Sequence, residues 1–313
     1  MGSETEPIPF SEYMERALYE PGTGFYAEAG RAGRRGDFVT SPEVGPLFGA
    51  VVARALDSWW RDLGRPDPFW VIEAGAGPGT LARSVASAQP DCAATWRYVA
   101  VERSAAQRAA HPDGVESRAE LPSGPVTGVV LANELLDNVP FDLVYDGQPV
   151  LVDPRPSGAA LVPDVDLDAC QPDCSHARAW LAAALDLLDR GRVVVFDYAY
   201  EPGRPGWLRT YREHERGGHP LVAPGTQDIT TDVPIDQLAE VRPPTAQSSQ
   251  AEWLRGWGID DLVEEGRRAW RDGAQQGDLA SLRGRSRVRE AEALLDPDGL
   301  GGFTVVEWRV NAV

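Results

Sequence analysis

Residues 70–74, Trp-Val-Ile-Glu-Ala, run straight into Gly75-Ala76-Gly77-Pro78-Gly79, and a helix-prone stretch follows from Thr80 to about Ala88. A short apolar run bounded by glycines reads as a buried strand, and the glycines let the backbone turn tightly and approach a ligand closely. Strand, glycine turn and helix together make the opening half of a β-α-β unit, which commits the chain to an α/β architecture.

Three further runs repeat the strand pattern. Tyr98–Val101 ends on Glu102, Val129–Ala132 ends on Asn133-Glu134, and Val193–Phe196 ends on Asp197-Tyr198. Continuous apolar strands of this kind are buried on both faces, as in a mostly parallel, Rossmann-like sheet. Each finishes at its carboxyl end in a polar or acidic residue, the edge at which open α/β sheets bind ligands.

Around this core, residues 1–65 read as a helical and loop segment that contributes to the site. Phe10, Tyr13, Met14, Ala17 and Leu18 stand at helical spacing, Gly22–Gly36 reads as loop, and Leu47, Val51, Ala55 and Trp59 form a second helical stripe. Residues 66–233 hold the α/β core and 298–313 its last strand. Between them, 234–297 read as a helical insertion, with Trp253, Leu254, Trp257 and Ile259 on its apolar face, which either caps the mouth of the sheet or packs away from the site. All four parts belong to one 313-residue domain.

The glycine loop has the form E-x-G-x-G-x-G, with Glu73 ahead of Gly75, Gly77 and Gly79. Dinucleotide enzymes place G-x-G-x-x-G at the same point, so glycines alone do not decide the ligand. The tighter spacing, with Pro78 removing a backbone donor, suits S-adenosyl-L-methionine (SAM), which has no pyrophosphate to cradle. Glu102 closes the second strand where an acid can accept hydrogen bonds from ribose hydroxyls. The chain contains no lysine, which excludes Schiff-base and P-loop chemistry and the Tyr-x-x-x-Lys relay of many hydride-transfer enzymes. The cofactor-binding set expected from the residues is therefore Glu73, Gly75, Gly77, Gly79, Thr80, Leu81, Glu102 and Asn133, for SAM and its product S-adenosyl-L-homocysteine.

A net charge of −18, from 48 acidic and 30 basic residues, repels phosphate backbones and anionic lipid heads, so neither nucleic acid nor membrane is the expected partner. Arg34–Arg35 and Arg267–Arg268 read as solvated surface. Neither a secretory leader nor an 18-residue apolar run is visible. Cys92, Cys170 and Cys174 do not form a disulfide framework, and Cys170, Cys174 and His176 lack a fourth zinc ligand, so no metal is expected. This cysteine usage points to a reducing compartment, read as the cytoplasm. Oligomeric state stays open, a homodimer included.

Several blocks also resemble the MidA-like methyltransferases. They are Leu18–Tyr26, Gly36–Glu43, Glu73–Leu81, Asn133–Pro140, Phe196-Asp197-Tyr198, Tyr211–His214 and Pro224–Thr230, in order over most of the chain. The blocks 36–43 and 133–140 are the specific ones. The resemblance implies a class I SAM-dependent fold. Mitochondrial members of the family are arginine methyltransferases that assist respiratory complex I assembly, which implies a guanidinium acceptor.

Carboxylates suit such an acceptor, because they clamp a guanidinium in bidentate geometry. Glu134, Asp37 and Glu43 are the catalytic candidates, with Asn133 positioning, while Thr40, Ser41, Pro42, Asp137, His214 and Asp228 are candidates for lining the acceptor side. Two departures concern the acceptor: the family's histidine after Asp228-Ile229-Thr230-Thr231 is Asp232, and its aromatic pair is Leu135-Leu136. Three functions remain open: a protein arginine methyltransferase, a small-molecule O- or N-methyltransferase, and a non-catalytic SAM-binding assembly partner.

Overall fold

The computed structural model describes residues 6–27, 40–155, 158–212, 215–273 and 279–311. Among the described residues the centre is a seven-stranded sheet. Its strands are β1 (Phe69–Ala74), β2 (Trp96–Val101), β3 (Glu116–Arg118), β4 (Val126–Asn133), β8 (Leu188–Asp197), β11 (Ala246–Ser249) and β12 (Thr304–Val310). The order across the sheet is β11-β12-β8-β4-β1-β2-β3. The block from β8 through β4, β1 and β2 to β3 is parallel, while β12 runs antiparallel to β8 and to β11. After β1 the chain moves outward through β2 and β3, then returns to place β4 on the other flank of β1. That reversal makes the ends of β1 and β4 the topological switch point, where the carboxyl ends of two neighbouring strands part and leave a crevice.

Alternation along the strands divides the interior into two cores. Val71, Val129, Leu131, Val194 and Phe196 face one side with α3 (Pro46–Asp62) and α4 (Thr80–Ser87), whereas Ile72, Val130, Ala132, Val193 and Val195 face the other with α1 (Phe10–Tyr19) and α5 (Ser175–Asp186). The four-residue helix α2 (Ser41–Val44) precedes α3. Fully burying a leucine- or phenylalanine-sized side chain is worth about 1.5–3 kcal/mol, so Leu47, Phe48, Val51, Val52, Leu56 and Trp59, at most 1% exposed, fix α3 firmly on the sheet.

On the α1 side lies a small antiparallel sheet built on the hairpin β5 (Asp142–Tyr145) and β6 (Gln148–Asp153), flanked by β7 (Gln171–Asp173), Ile8–Pro9 and Ala160–Val162. A second antiparallel pair, β9 (Leu208–Arg212) and β10 (Asp228–Thr231), leads to α6 (Ile235–Val241). The segment 234–297 also supplies the edge strand β11, so it is not wholly helical. Its helices α7 (Gln250–Gly256), α8 (Ile259–Gly273) and α9 (Leu279–Leu294) pack on the α3 face through Trp253, Leu254, Ile259, Leu262, Ala291 and Leu294. Glu290 accepts the Leu47 backbone N–H at 2.8 Å, which satisfies one of the orphan donors of the first turn of α3.

Cys92, Cys170 and Cys174 are buried and unpaired, and His176 turns Nδ1 to the Pro140 carbonyl at 3.1 Å. None of the helices, among the described residues, is long and apolar enough to cross a membrane.

Candidate active site

The switch point opens into a cavity of about 900 Å³ bordered by the glycine loop, the ends of β2 and β4, α1 and α2. Gly75, Gly77 and Gly79 take φ of 69°, 52° and 79°, a region that costs a side-chain-bearing residue roughly 1–2 kcal/mol. A Cβ on Gly75 would lie 2.9 Å from Leu135 Cδ1, and one on Gly79 would lie 2.9 Å from Pro112 Cδ. The loop is thus pressed against its neighbours and presents bare backbone to the cavity. Gly75 and Gly77 line that space and Gly79 does not; it forms the left-handed entry to α4.

Glu73 lines the base of the cavity but turns its carboxylate to the Tyr98 hydroxyl, which donates at 2.6 Å. Burial pushes its pKa up to about 7. It braces the loop from beneath. Glu102 sits at the end of β2, borders the cavity, and accepts from Gly77 N at 3.0 Å and Ser104 N at 2.7 Å, so it also ties down the loop. Leu81 and Thr80 border the cavity, and the Thr80 hydroxyl donates to Glu43, joining α2 to the start of α4.

At the end of β4, Asn133 Nδ2 donates to Glu134 Oε1 at 3.0 Å, while Asn133 Oδ1 is buried without a partner. An unsatisfied buried acceptor beside a cavity marks a place for a ligand donor. Glu134 also accepts from Ser41 N at 3.2 Å and has φ of 50°. Strained backbone of that kind clusters at functional sites. Burial and the neighbouring Asp137 push the Glu134 carboxyl up to about 8.

Thr40, Pro42, Glu43, Asn133 and Glu134 therefore meet at one cavity. Ser41 stands just behind them, contributing its N–H to Glu134 and its hydroxyl to Gln250 at 3.0 Å. Asp137 and Asp228 lie behind the wall and do not border the cavity. Asp137 accepts from the Thr230 hydroxyl at 2.7 Å; Asp228 accepts from Tyr26 at 3.0 Å and from Asn138 at 3.1 Å. Asp37 and His214 fall outside the described residues. The helices of 234–297, one reading of which is a cap, contribute no described residue to the lining; their apolar face is taken up by α3.

The two departures from the family pattern have local explanations. Leu135 packs against Gly75 at the cavity wall and Leu136 is buried in the core. Asp232 forms a buried ion pair with Arg209 at 2.5 Å.

Sequence reasoning passed over Tyr19, Tyr26, Asn138 and Arg103, all of which border the cavity. Tyr19 and Tyr26 lie within the quoted block 18–26, where two tyrosines flanking a glycine turn were the available signal.

Comparison with known proteins decides the family. The sequence model described as "Putative S-adenosyl-L-methionine-dependent methyltransferase" matches residues 51–160 and 173–250. The chain belongs to this methyltransferase family. Its Drosophila melanogaster relative, named protein arginine methyltransferase NDUFAF7 homolog, mitochondrial, is 31% identical, with 76% of this chain and 68% of the relative covered. The Bos taurus protein arginine methyltransferase NDUFAF7, mitochondrial, is 26% identical over 82% of this chain and 71% of the relative. A Burkholderia thailandensis superfamily member crystallised with S-adenosyl-homocysteine superposes with a TM-score of 0.82 at 26% identity, covering 98% of this chain and 89% of that one. The class I methyltransferase fold expected from the strand pattern is thereby established.

The cofactor of the family is SAM, and the residues present fit it. Bare glycine backbone, the Glu102 carboxylate and the orphaned Asn133 oxygen border one cavity. The cytoplasmic location expected from the cysteines is overturned, because the curated relatives are named as mitochondrial proteins. Three buried cysteines without disulfide partners do not identify a compartment.

Proposed function

We propose that this methyltransferase acts on an arginine side chain of a protein, with Glu134 as the group that receives the guanidinium. The observation that carries the proposal is the setting of Glu134: an acid in strained backbone, fixed by Ser41 N and Asn133 Nδ2, at the same cavity as the glycine loop. The names of the relatives support the same acceptor.

SAM, when bound, supplies a methyl group on a positively charged sulfur. Everything else is positioning and proton control. Glu102 and Gly77 would hold the ribose side, and the Asn133 oxygen would accept from the ligand's ammonium. Before the acceptor arrives, Glu134 is held high enough to be largely neutral at pH 7. A cation arriving within about 4–6 Å favours the charged carboxylate, so acceptor binding itself ionises Glu134. The ionised carboxylate aligns the guanidinium and accepts the proton that the acceptor nitrogen must lose on gaining a methyl carbon. Glu43, which accepts from the Thr80 hydroxyl, ties α2 to the start of α4.

The test is label transfer from methyl-labelled SAM into a lysate of cells lacking this gene, separated into protein and small-molecule fractions. Label in a protein band, released on hydrolysis as methylarginine, is the expected result. Label confined to small molecules would replace the acceptor, and binding of SAM without any transfer would leave an assembly partner in place of an enzyme.

A further inference from the structure

Two tyrosines that border the same cavity as Glu134, and a buried acid behind them, form a unit that the methyl-transfer reading leaves unused. Tyr19, on α1, and Tyr26, in the short turn Phe25–Ala27, stack with ring centroids 5.7 Å apart at 19°, and both border the cavity. The Arg103 guanidinium lies 4.3 Å over the Tyr19 ring and pairs with Glu15. A row therefore runs along the cavity from Arg103, next to Glu102, through Tyr19 to Tyr26.

The far end is anchored. The Tyr26 oxygen is 3.0 Å from Asp228 Oδ1 and 3.2 Å from Asn138 Oδ1. The orientation of Asn138 is set by its Nδ2, which donates to Asp228 Oδ1 and to the Ile229 carbonyl, each at 3.1 Å. Both neighbours of the phenol are thus acceptors, and it has one proton. When ionised, the carboxylate is the stronger acceptor, so the proton then goes to Asp228 and the phenol oxygen keeps its lone pairs. Asp228 is 2% exposed and borders no part of the cavity; it reaches a bound molecule through Tyr26 and Asn138, which both border it.

We propose that Tyr26 is the specificity-determining residue for the acceptor, its ring and phenol oxygen receiving the cationic group beside Glu134, with Asp228 as a positioning residue acting through it. This rests on the acceptor reading above. An aromatic face within about 6 Å of a cation is worth roughly 0.5–2 kcal/mol, and an oxygen with no proton to offer selects a donor such as a guanidinium N–H.

The experiment is a double-mutant cycle with Tyr26→Phe and Asp228→Ala, using methyl-labelled SAM and the protein fraction of a lysate lacking this gene. Half-saturation by that fraction, maximal rate and SAM affinity by calorimetry are read for each protein. Tyr26→Phe is expected to raise half-saturation by about ten- to a hundredfold with SAM affinity unchanged, the loss expected for a hydrogen bond to a charged group. Asp228→Ala should do the same, the double variant should be no worse than either, and Asp228→Asn, which keeps an acceptor oxygen for Tyr26, should recover most of the loss. Unchanged half-saturation in Tyr26→Phe overturns the proposal even if Asp228→Ala fails to fold. Additive losses in the double variant overturn the coupling. No label transfer by the unmutated protein would remove the acceptor reading itself, and this proposal with it.

Discussion

Glu134 accepts the backbone N–H of Ser41 at 3.2 Å, across 93 residues of chain, while its own backbone is held at φ 50°. The contact joins the end of β4 to the start of α2, so that the carboxylate is fixed from two elements at once. A glutamine there can still accept from Ser41 through its amide oxygen but cannot take a proton.

Glu134→Gln should therefore bind SAM as the unmutated protein does and lose about 10²–10⁴ in turnover, the usual contribution of a positioned general base. Calorimetry with SAM and initial rates of label transfer separate the two quantities. Full turnover by the variant would remove Glu134 from the chemistry.

Glu102 tethers Gly77 at 3.0 Å, and under the proposed function its carboxylate also receives the ribose. Charge-assisted hydrogen bonds are worth about 1.5–3 kcal/mol each, so Glu102→Ala should weaken SAM binding by at least about 100-fold. Glu102→Gln retains an acceptor oxygen and should fall between the two. Equal affinity in all three proteins, by calorimetry, would place the ribose elsewhere.

The buried acids give the stability an unusual pH dependence. Burial raises the carboxyls of Glu73 and Asp228 to about 7, and that of Glu134 to about 8; Asp137 and Asp197 also shift upward. A carboxyl with a raised folded pKa stabilises fully below its unfolded value near 4, and that contribution is lost as pH rises through the folded value. His219, lowered by burial, works in the opposite direction as pH rises to about 6.5, but it is a single group. Free of ligand, the protein should melt several degrees lower at pH 8 than at pH 5.5. Glu73→Gln, which keeps an oxygen for Tyr98, should flatten the dependence. A melting temperature that climbs over this range would refute the account.

The parallel core was legible because its strands are continuous apolar runs ending in polar residues, and the glycine loop announced the switch point. The small sheet was not read, although its signal was present. Asp146-Gly147 takes φ of 48° and 70° between β5 and β6, the primed-turn geometry that an Asp-Gly pair between alternating apolar residues encodes. Acids at strand ends were legible as a class, but which of them face the cavity was not. Asp137 and Asp228 turn away into hydrogen bonds with Thr230, Asn138 and Tyr26, partners 90 to 202 residues distant, which spacing cannot reveal. The aspartate that replaces the family's histidine became intelligible only when Arg209 was seen beside it.

That last pair makes its own prediction. Asp232 and Arg209 meet at 2.5 Å with side chains 3% and 13% exposed, and the Arg209 guanidinium lies 4.9 Å from the Tyr198 ring centroid. Removing one partner of a buried ion pair leaves the other charge uncompensated and costs about 3–5 kcal/mol. Asp232→Ala should therefore lower the denaturant midpoint markedly, whereas Asp232→Ala with Arg209→Leu should regain much of the loss, because an apolar pair needs no desolvated charge. SAM affinity should stay unchanged in every variant that folds, since neither residue borders the cavity. A double variant no more stable than Asp232→Ala alone would show that Arg209 is held by something other than Asp232.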